Sequence, residues 1–163
     1  MCCRLSALVL VLSLVLSTEI VGAGVLSSRF DTGTEGWQVI EFDLSSPPVL
    51  VGGWSPTYQA SGGNPRGYIS SGDSGNWTFY FSAPSKFLGN QSAAHGGYLR
   101  FDAKDRGGTH SPGPELVLVG GGNTLLYRGG IDPTTDWQTY TIPLSVDSNW
   151  HLNGTVGSTG NFG

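Results

Sequence analysis

Gly97-Tyr-Leu-Arg-Phe-Asp-Ala-Lys104 is the stretch that decides the fold. Leu99, Phe101 and Ala103 alternate with Arg100, Asp102 and Lys104, which predicts a strand with one face on a core and one in water. Upstream, Asn76-Trp-Thr-Phe-Tyr-Phe-Ser82 has the same period of two. It sets Trp77, Phe79 and Phe81 on one side, expected inward, and Thr78 and Tyr80 on the other. Downstream, Glu115-Leu-Val-Leu-Val119 and Thr124-Leu-Leu-Tyr127 flank Gly120-Gly-Gly-Asn123. That pattern reads as a hairpin whose loop uses glycine to reach positive φ. Trp137 to Ile142, closed by Pro143, is a further strand, and Gly36 to Phe42 and Gly67 to Ser70 are two more.

Helical signals are scarce outside the first residues. Pro84 to Leu88 has room for one turn, but no window sustains apolar residues at i, i+3, i+4 and i+7. Seven or more short antiparallel strands with frequent turn signals predict an all-β fold, a β-sandwich of jelly-roll type. The 163 residues suit one domain, and the 26 glycines and 9 prolines suit many tight turns.

The charge balance excludes some classes of function. With 8 Lys and Arg against 12 Asp and Glu, the net charge is −4 and no basic stripe runs along the chain. Nucleic acid is therefore not an expected partner. Arg4, the apolar run Leu5 to Ser17 and Val21-Gly-Ala23 read as a secretory signal over residues 1–23, too short to span a bilayer. A single domain is expected over 24–163, without a membrane span and exported from the cell. Both cysteines, Cys2 and Cys3, fall in the signal, so neither a disulfide nor a thiolate site is expected in the processed chain.

Catalytic hints are weak. Gly72-Asp-Ser-Gly75 and Ala93-Ala-His95 resemble serine-protease segments, with Asp102 nearby in the sequence. The order Ser74, His95, Asp102 differs from that family's, and a turn rich in Gly, Asp and Ser accounts for the first segment. A secreted serine hydrolase centred on Ser74 is the remote alternative. His95, His110 and His151 lack ligand spacing, and Asp102 and Asp105 are placed to diverge on a strand. No catalytic, cofactor or metal residues are assigned, and an enzyme is not expected. Sequons at Asn76, Asn90 and Asn153 are candidate N-glycosylation sites.

The run Asn76 to Asp102, with its Ala83-Pro-Ser-Lys-Phe-Leu-Gly89 segment, resembles the laminin B (laminin IV type A) domain. Phe30-Asp-Thr-Gly-Thr-Glu-Gly-Trp37, Gly63-Asn-Pro-Arg-Gly-Tyr-Ile69, Glu115 to Leu125 and Trp137 to Leu144 are similar to further parts of the domain. Two departures stand out. His95 replaces the usual tyrosine, and the sequence stops at Gly163 where the family's last strands are expected. The resemblance implies a jelly-roll sandwich like that of carbohydrate-binding modules, and an extracellular, non-enzymatic structural or adhesive role with a protein or glycan partner. A carbohydrate-binding module is the alternative, with Trp54, Tyr58 and Trp150 as glycan-contact aromatics, or equally as core plugs. Calcium held by Asp31 and Glu35 belongs to that alternative.

Overall fold

The computed structural model describes residues 13–17, 26–43, 49–72, 77–105 and 113–152. Among these, every regular element but two is a strand. In chain order the strands are β1 (Ser13–Ser17), β2 (Leu26–Ser28), β3 (Gln38–Asp43), β4 (Val49–Trp54), β5 (Thr57–Gln59) and β6 (Tyr68–Ser70). They continue as β7 (Thr78–Ser82), β8 (Tyr98–Ala103), β9 (Leu116–Gly120), β10 (Asn123–Tyr127), β11 (Gln138–Pro143) and β12 (Trp150–Leu152). The two exceptions are single 3₁₀ turns, Ser85–Phe87 and Ser92–Ala94. The expected turn at Pro84 to Leu88 is one of them.

All the strand pairings are antiparallel. They form sheets of order β11-β8-β1-β2, β12-β10-β9 and β4-β3-β7, with β5-β6 as a separate ribbon. The core lies where these sheets face one another. Leu99, Phe101 and Ala103 of β8 and Ile142 of β11 meet Tyr127 of β10 and Trp150 of β12, with Phe30, Trp37 and Ile69 completing the cluster. This is a β-sandwich: side chains from inner faces pack together, while on the outer face of β8 Arg100 is exposed and Tyr98 and Asp102 are half-buried.

The decisive stretch behaves as its alternation predicts. Leu99, Phe101 and Ala103 are buried, and Arg100 between them is exposed. The hairpin also forms as read, tightened to a two-residue loop. Gly121 and Gly122 have φ of 57° and 77°, and Asn123 stands opposite Gly120. Positive φ at both central residues matches the right-handed twist of the flanking strands, which is why two glycines stand there.

The aromatic strand β7 departs from its reading at one end. Phe79 is buried and Phe81 packs on the core, but Trp77 is 46% exposed. Pairing with β3 begins at Thr78, opposite Phe42, so Trp77 lies beyond the sheet. The opposite side of β7 is not wholly wet either. Tyr80 donates its hydroxyl proton to the Pro114 carbonyl at 2.9 Å, and burial pushes its phenol pKa well up, the Arg128 charge offsetting only part of this.

Five strands escaped the sequence reading: β1, β2, β4, β5 and β12. The first is notable because Ser13–Ser17 falls inside the stretch read as the export signal. It lies between β2 and β8, with Leu14 opposite Phe101 and Leu16 opposite Leu99.

Candidate functional site

The segment Phe30–Trp37 leaves β2 and returns toward β3 by way of a tight knot. Phe30 and Glu35 adopt φ of 52° and 51°, a region disfavoured for side-chain-bearing residues. Several contacts hold them there. Glu35 Oε1 accepts the backbone N–H groups of Arg29 and Phe30 at 2.9 and 2.5 Å, and its Oε2 pairs with Lys86 Nζ at 2.6 Å. Lys86 also donates to the Ser27 carbonyl at 2.8 Å and lies 5.2 Å from the centroid of the Phe87 ring. Below, the fully buried Phe30 ring meets Trp37 edge-on at 6.4 Å, and the Trp37 indole N–H donates to Ser28 Oγ at 2.8 Å. Partial burial pushes the Glu35 carboxyl upward, but the hydrogen bonds from Lys86, Phe30, Arg29 and Ser28 outweigh it and hold the group below the usual glutamate value.

This geometry bears on the calcium reading. The two carboxylates named for it face different cations: Glu35 faces Lys86, and Asp31 pairs with Arg66 at 2.9 Å on the surface. An ammonium already neutralises the Glu35 charge. Among the described residues no three His, Cys, Asp or Glu side chains gather as a metal site.

The three aromatics named for glycan contact have separate settings. Trp150 is fully buried, 5.1 Å from the Tyr127 ring, and its indole N–H donates to the Pro143 carbonyl at 3.0 Å. It therefore has no face for a sugar, and the core-plug alternative describes it. A tryptophan in a polar segment can still be the largest inward group available, and here two sheets close over it. Tyr58 is half-buried against the core and donates its hydroxyl to the Asp31 carbonyl at 3.0 Å. Trp54 is also half-buried, bonded to Ser71 Oγ at 2.9 Å and tilted on Phe79 at 6.1 Å. It lines an open groove of about 520 Å³ over the paired strands β3 and β4, together with Leu50 and Val51, which are 58% and 43% exposed.

The sequons and the hydrolase residues are scattered. Asn76, Asn153, Ser74 and His110 lie outside the described residues. Asn90 is exposed, and its Oδ1 accepts the Ser92 N–H at 3.0 Å, a turn that presents the sequon at the surface. His95 is exposed after the second 3₁₀ turn. Asp102 accepts the Thr139 hydroxyl of the neighbouring strand at 2.5 Å. Asp105 is buried past the end of β8, where its N–H reaches the Thr134 carbonyl at 2.7 Å.

One surface cluster was missed. Trp137 and Tyr68 meet edge to face at 5.6 Å, and Lys104 Nζ lies 5.1 and 5.9 Å from their ring centroids. The Trp137 indole N–H is fixed by the Gly62 carbonyl at 2.8 Å. Nothing in the sequence spacing could bring these three together, because they come from β6, the end of β8 and the start of β11. Gly67, beside Tyr68, shows how closely the chains approach here. A Cβ on it would lie 2.1 Å from the Phe30 carbonyl oxygen.

No described helix is long and apolar enough to cross a membrane. The family model for Laminin B (Domain IV) matches residues 80–161. Laminin subunit gamma-2 of Homo sapiens is 32% identical over 132 residues, covering 77% of this chain and 10% of that protein. The Equus caballus gamma-2 subunit is 33% identical over 130 residues, 76% of this chain and 10% of that protein. Laminin subunit gamma-1 of Xenopus tropicalis is 30% identical over 130 residues, 76% of this chain and 8% of that protein. The chain thus spans about a tenth of the length of these curated relatives. No solved structure is significantly similar to the chain.

Proposed function

The chain belongs to the laminin B (domain IV) family, and from that membership we propose that it is a secreted, non-enzymatic structural module of the extracellular matrix. The observation that carries this reading is the family match over residues 80–161. It spans β8 to β12 and the Ala83–Gly89 segment, and so much of the sandwich core. The residues 1–23 act as the export signal, and 24–163 form one module whose partners are extracellular proteins or glycans. Asn90 carries an N-linked glycan; its exposure and its turn support this, and Asn76 and Asn153 are further candidates.

The test is expression of the full chain, tagged at its C-terminus, in cultured animal cells. Tagged protein should collect in the medium, beginning at Gly24 or within a few residues of it. An endoglycosidase should increase its gel mobility, and Asn90→Gln should reduce that shift. Retention in the cytosol with Met1 intact would overturn the export reading.

A carbohydrate-binding role is the second reading, supported by the open groove over β3 and β4 that Trp54 lines. Fold likeness alone does not transfer ligand binding. A glycan array separates the two: saturable binding abolished by Trp54→Ala favours the second, and a blank array the first.

A further inference from the structure

We propose that Trp137, Tyr68 and Lys104 form a platform that binds an uncharged pyranose ring of an extracellular glycan. The proposal rests on the reading above that the module's partners are extracellular, and takes the glycan side of it. Trp137 stands one residue before β11 and Lys104 one residue after β8, one step beyond the paired Gln138 and Ala103. Tyr68 opens β6. The two half-buried rings stand at 72° to each other, with Lys104 Nζ within cation–π range of both. Large aromatic rings normally supply a core. Among the described residues, neither of these belongs to the core cluster or packs against it. Both are nonetheless held in place, Trp137 by its bond to the Gly62 carbonyl and Tyr68 by the pairing of β6 with β5. Rings kept out of the core and fixed in orientation are preorganised for a flat apolar partner, which lowers the ordering cost of binding.

The polar groups around the rings select that partner's chemistry. A sugar ring has an apolar C–H face and hydroxyls that both donate and accept. Lys104 supplies a donor. Asp102 and Thr139, opposite each other one step along the same face and bonded together, supply acceptors. Charge argues against an acidic sugar. Asp102 lies two residues before Lys104, Asp105 follows it directly, and Asp136 adjoins Trp137, in a chain of net charge −4. One ammonium among three carboxylates does not draw in a polyanion. The platform shares no residue with the groove over β3 and β4.

The full chain, expressed in cultured animal cells and purified from the medium, is titrated with chitotetraose, cellotetraose and N-acetyllactosamine. A heparin tetrasaccharide is the charged arm. Binding is followed by tryptophan fluorescence and by NMR saturation transfer from protein to sugar protons. We expect saturable binding of at least one neutral sugar, with its ring C–H protons receiving the strongest transfer. Trp137→Ala should weaken it at least about five-fold, and Lys104→Met about three-fold. Trp54→Ala should leave it unchanged. Trp137→Phe keeps an aromatic face, so saturation transfer should persist while the sugar-induced change in tryptophan fluorescence disappears. Should Trp137→Ala fail to fold, Lys104→Met and Trp137→Phe decide the case. Absence of binding by every neutral sugar overturns the proposal. So does binding that Trp54→Ala abolishes and the Trp137 and Lys104 variants spare, or tighter binding of the heparin fragment than of any neutral sugar. If the chain stays in the cells, the export reading fails by itself, and the same titrations on chain purified from the lysate decide the platform.

Discussion

β8 and β4 are strands of equal length with opposite fates. In the unprocessed chain β8 is bonded on both edges, and every second side chain enters the core: Leu99, Phe101 and Ala103 are all buried. β4 lies at the end of its sheet, bonded to β3 alone, and its Leu50 and Val51 remain exposed. Its register with β3 also shifts between Glu41 and Phe42. The difference teaches that apolar character does not bury a strand. A facing layer does, since Ile142 and Trp150 are buried on edge strands too, and that layer is built by elements distant in sequence.

The contrast breaks most readily at Phe101. Phe101→Ala should cost roughly 3–5 kcal/mol in urea unfolding, and Phe79→Ala on β7 a similar amount. Val51→Ala should cost under about 0.5 kcal/mol, as expected of an exposed site. Equal losses at Phe101 and Val51 would erase the distinction between the two strands. Next in size is Gly67→Ala. The added methyl would overlap the Phe30 carbonyl at 2.1 Å, so one segment must shift, at a cost of about 3 kcal/mol. A neutral result would place the 58–68 region farther from Phe30.

The knot at Glu35 gives a smaller and pH-dependent effect. Glu35→Gln should cost about 1–2 kcal/mol at pH 7, because it loses a charge-assisted contact and weakens two hydrogen bonds at a partly exposed site. The folded pKa of Glu35 is depressed, so its contribution is complete above the usual carboxylate range. That contribution drains away as pH falls through the lower folded value. The difference in stability between wild type and Glu35→Gln should therefore narrow on acidification, as read from urea melts between pH 7 and pH 3. A constant difference would show that the charge is not what matters. Smallest of all is Trp77→Ala, expected to cost well below Phe79→Ala because Trp77 lies past the paired end of β7. A loss as large as that of Phe79→Ala would return Trp77 to the core.

Legibility in the sequence follows the range of the causes. The β9–β10 hairpin could be read as a hairpin, since glycines and two flanking apolar runs specify it within a dozen residues, although its loop closes to Gly121 and Gly122 where four residues were expected. The knot was legible as a motif, Phe30 to Trp37, but not as chemistry. Its key partner Lys86 lies 51 residues from Glu35 and comes from the turn after β7. β5 and β12, three residues each, carry too little periodicity to be distinguished from loops. The Lys104, Trp137 and Tyr68 cluster was invisible for the same reason as the Lys86 contact: its members meet only after three strands have taken their places.

The sequence by itself determined the all-β class, the inward face of β8, the presence of the β9–β10 hairpin and the family, because alternation, turn chemistry and spaced motifs act locally. Only the tertiary structure decided which aromatics form the core and which face water, what partner each carboxylate of Phe30–Trp37 takes, and that Ser13–Ser17 pairs between β2 and β8 in the unprocessed chain. The physical reason is common to all three. Burial and strand pairing are properties of neighbours, and in a sandwich the neighbours of a residue come from elements tens of residues away.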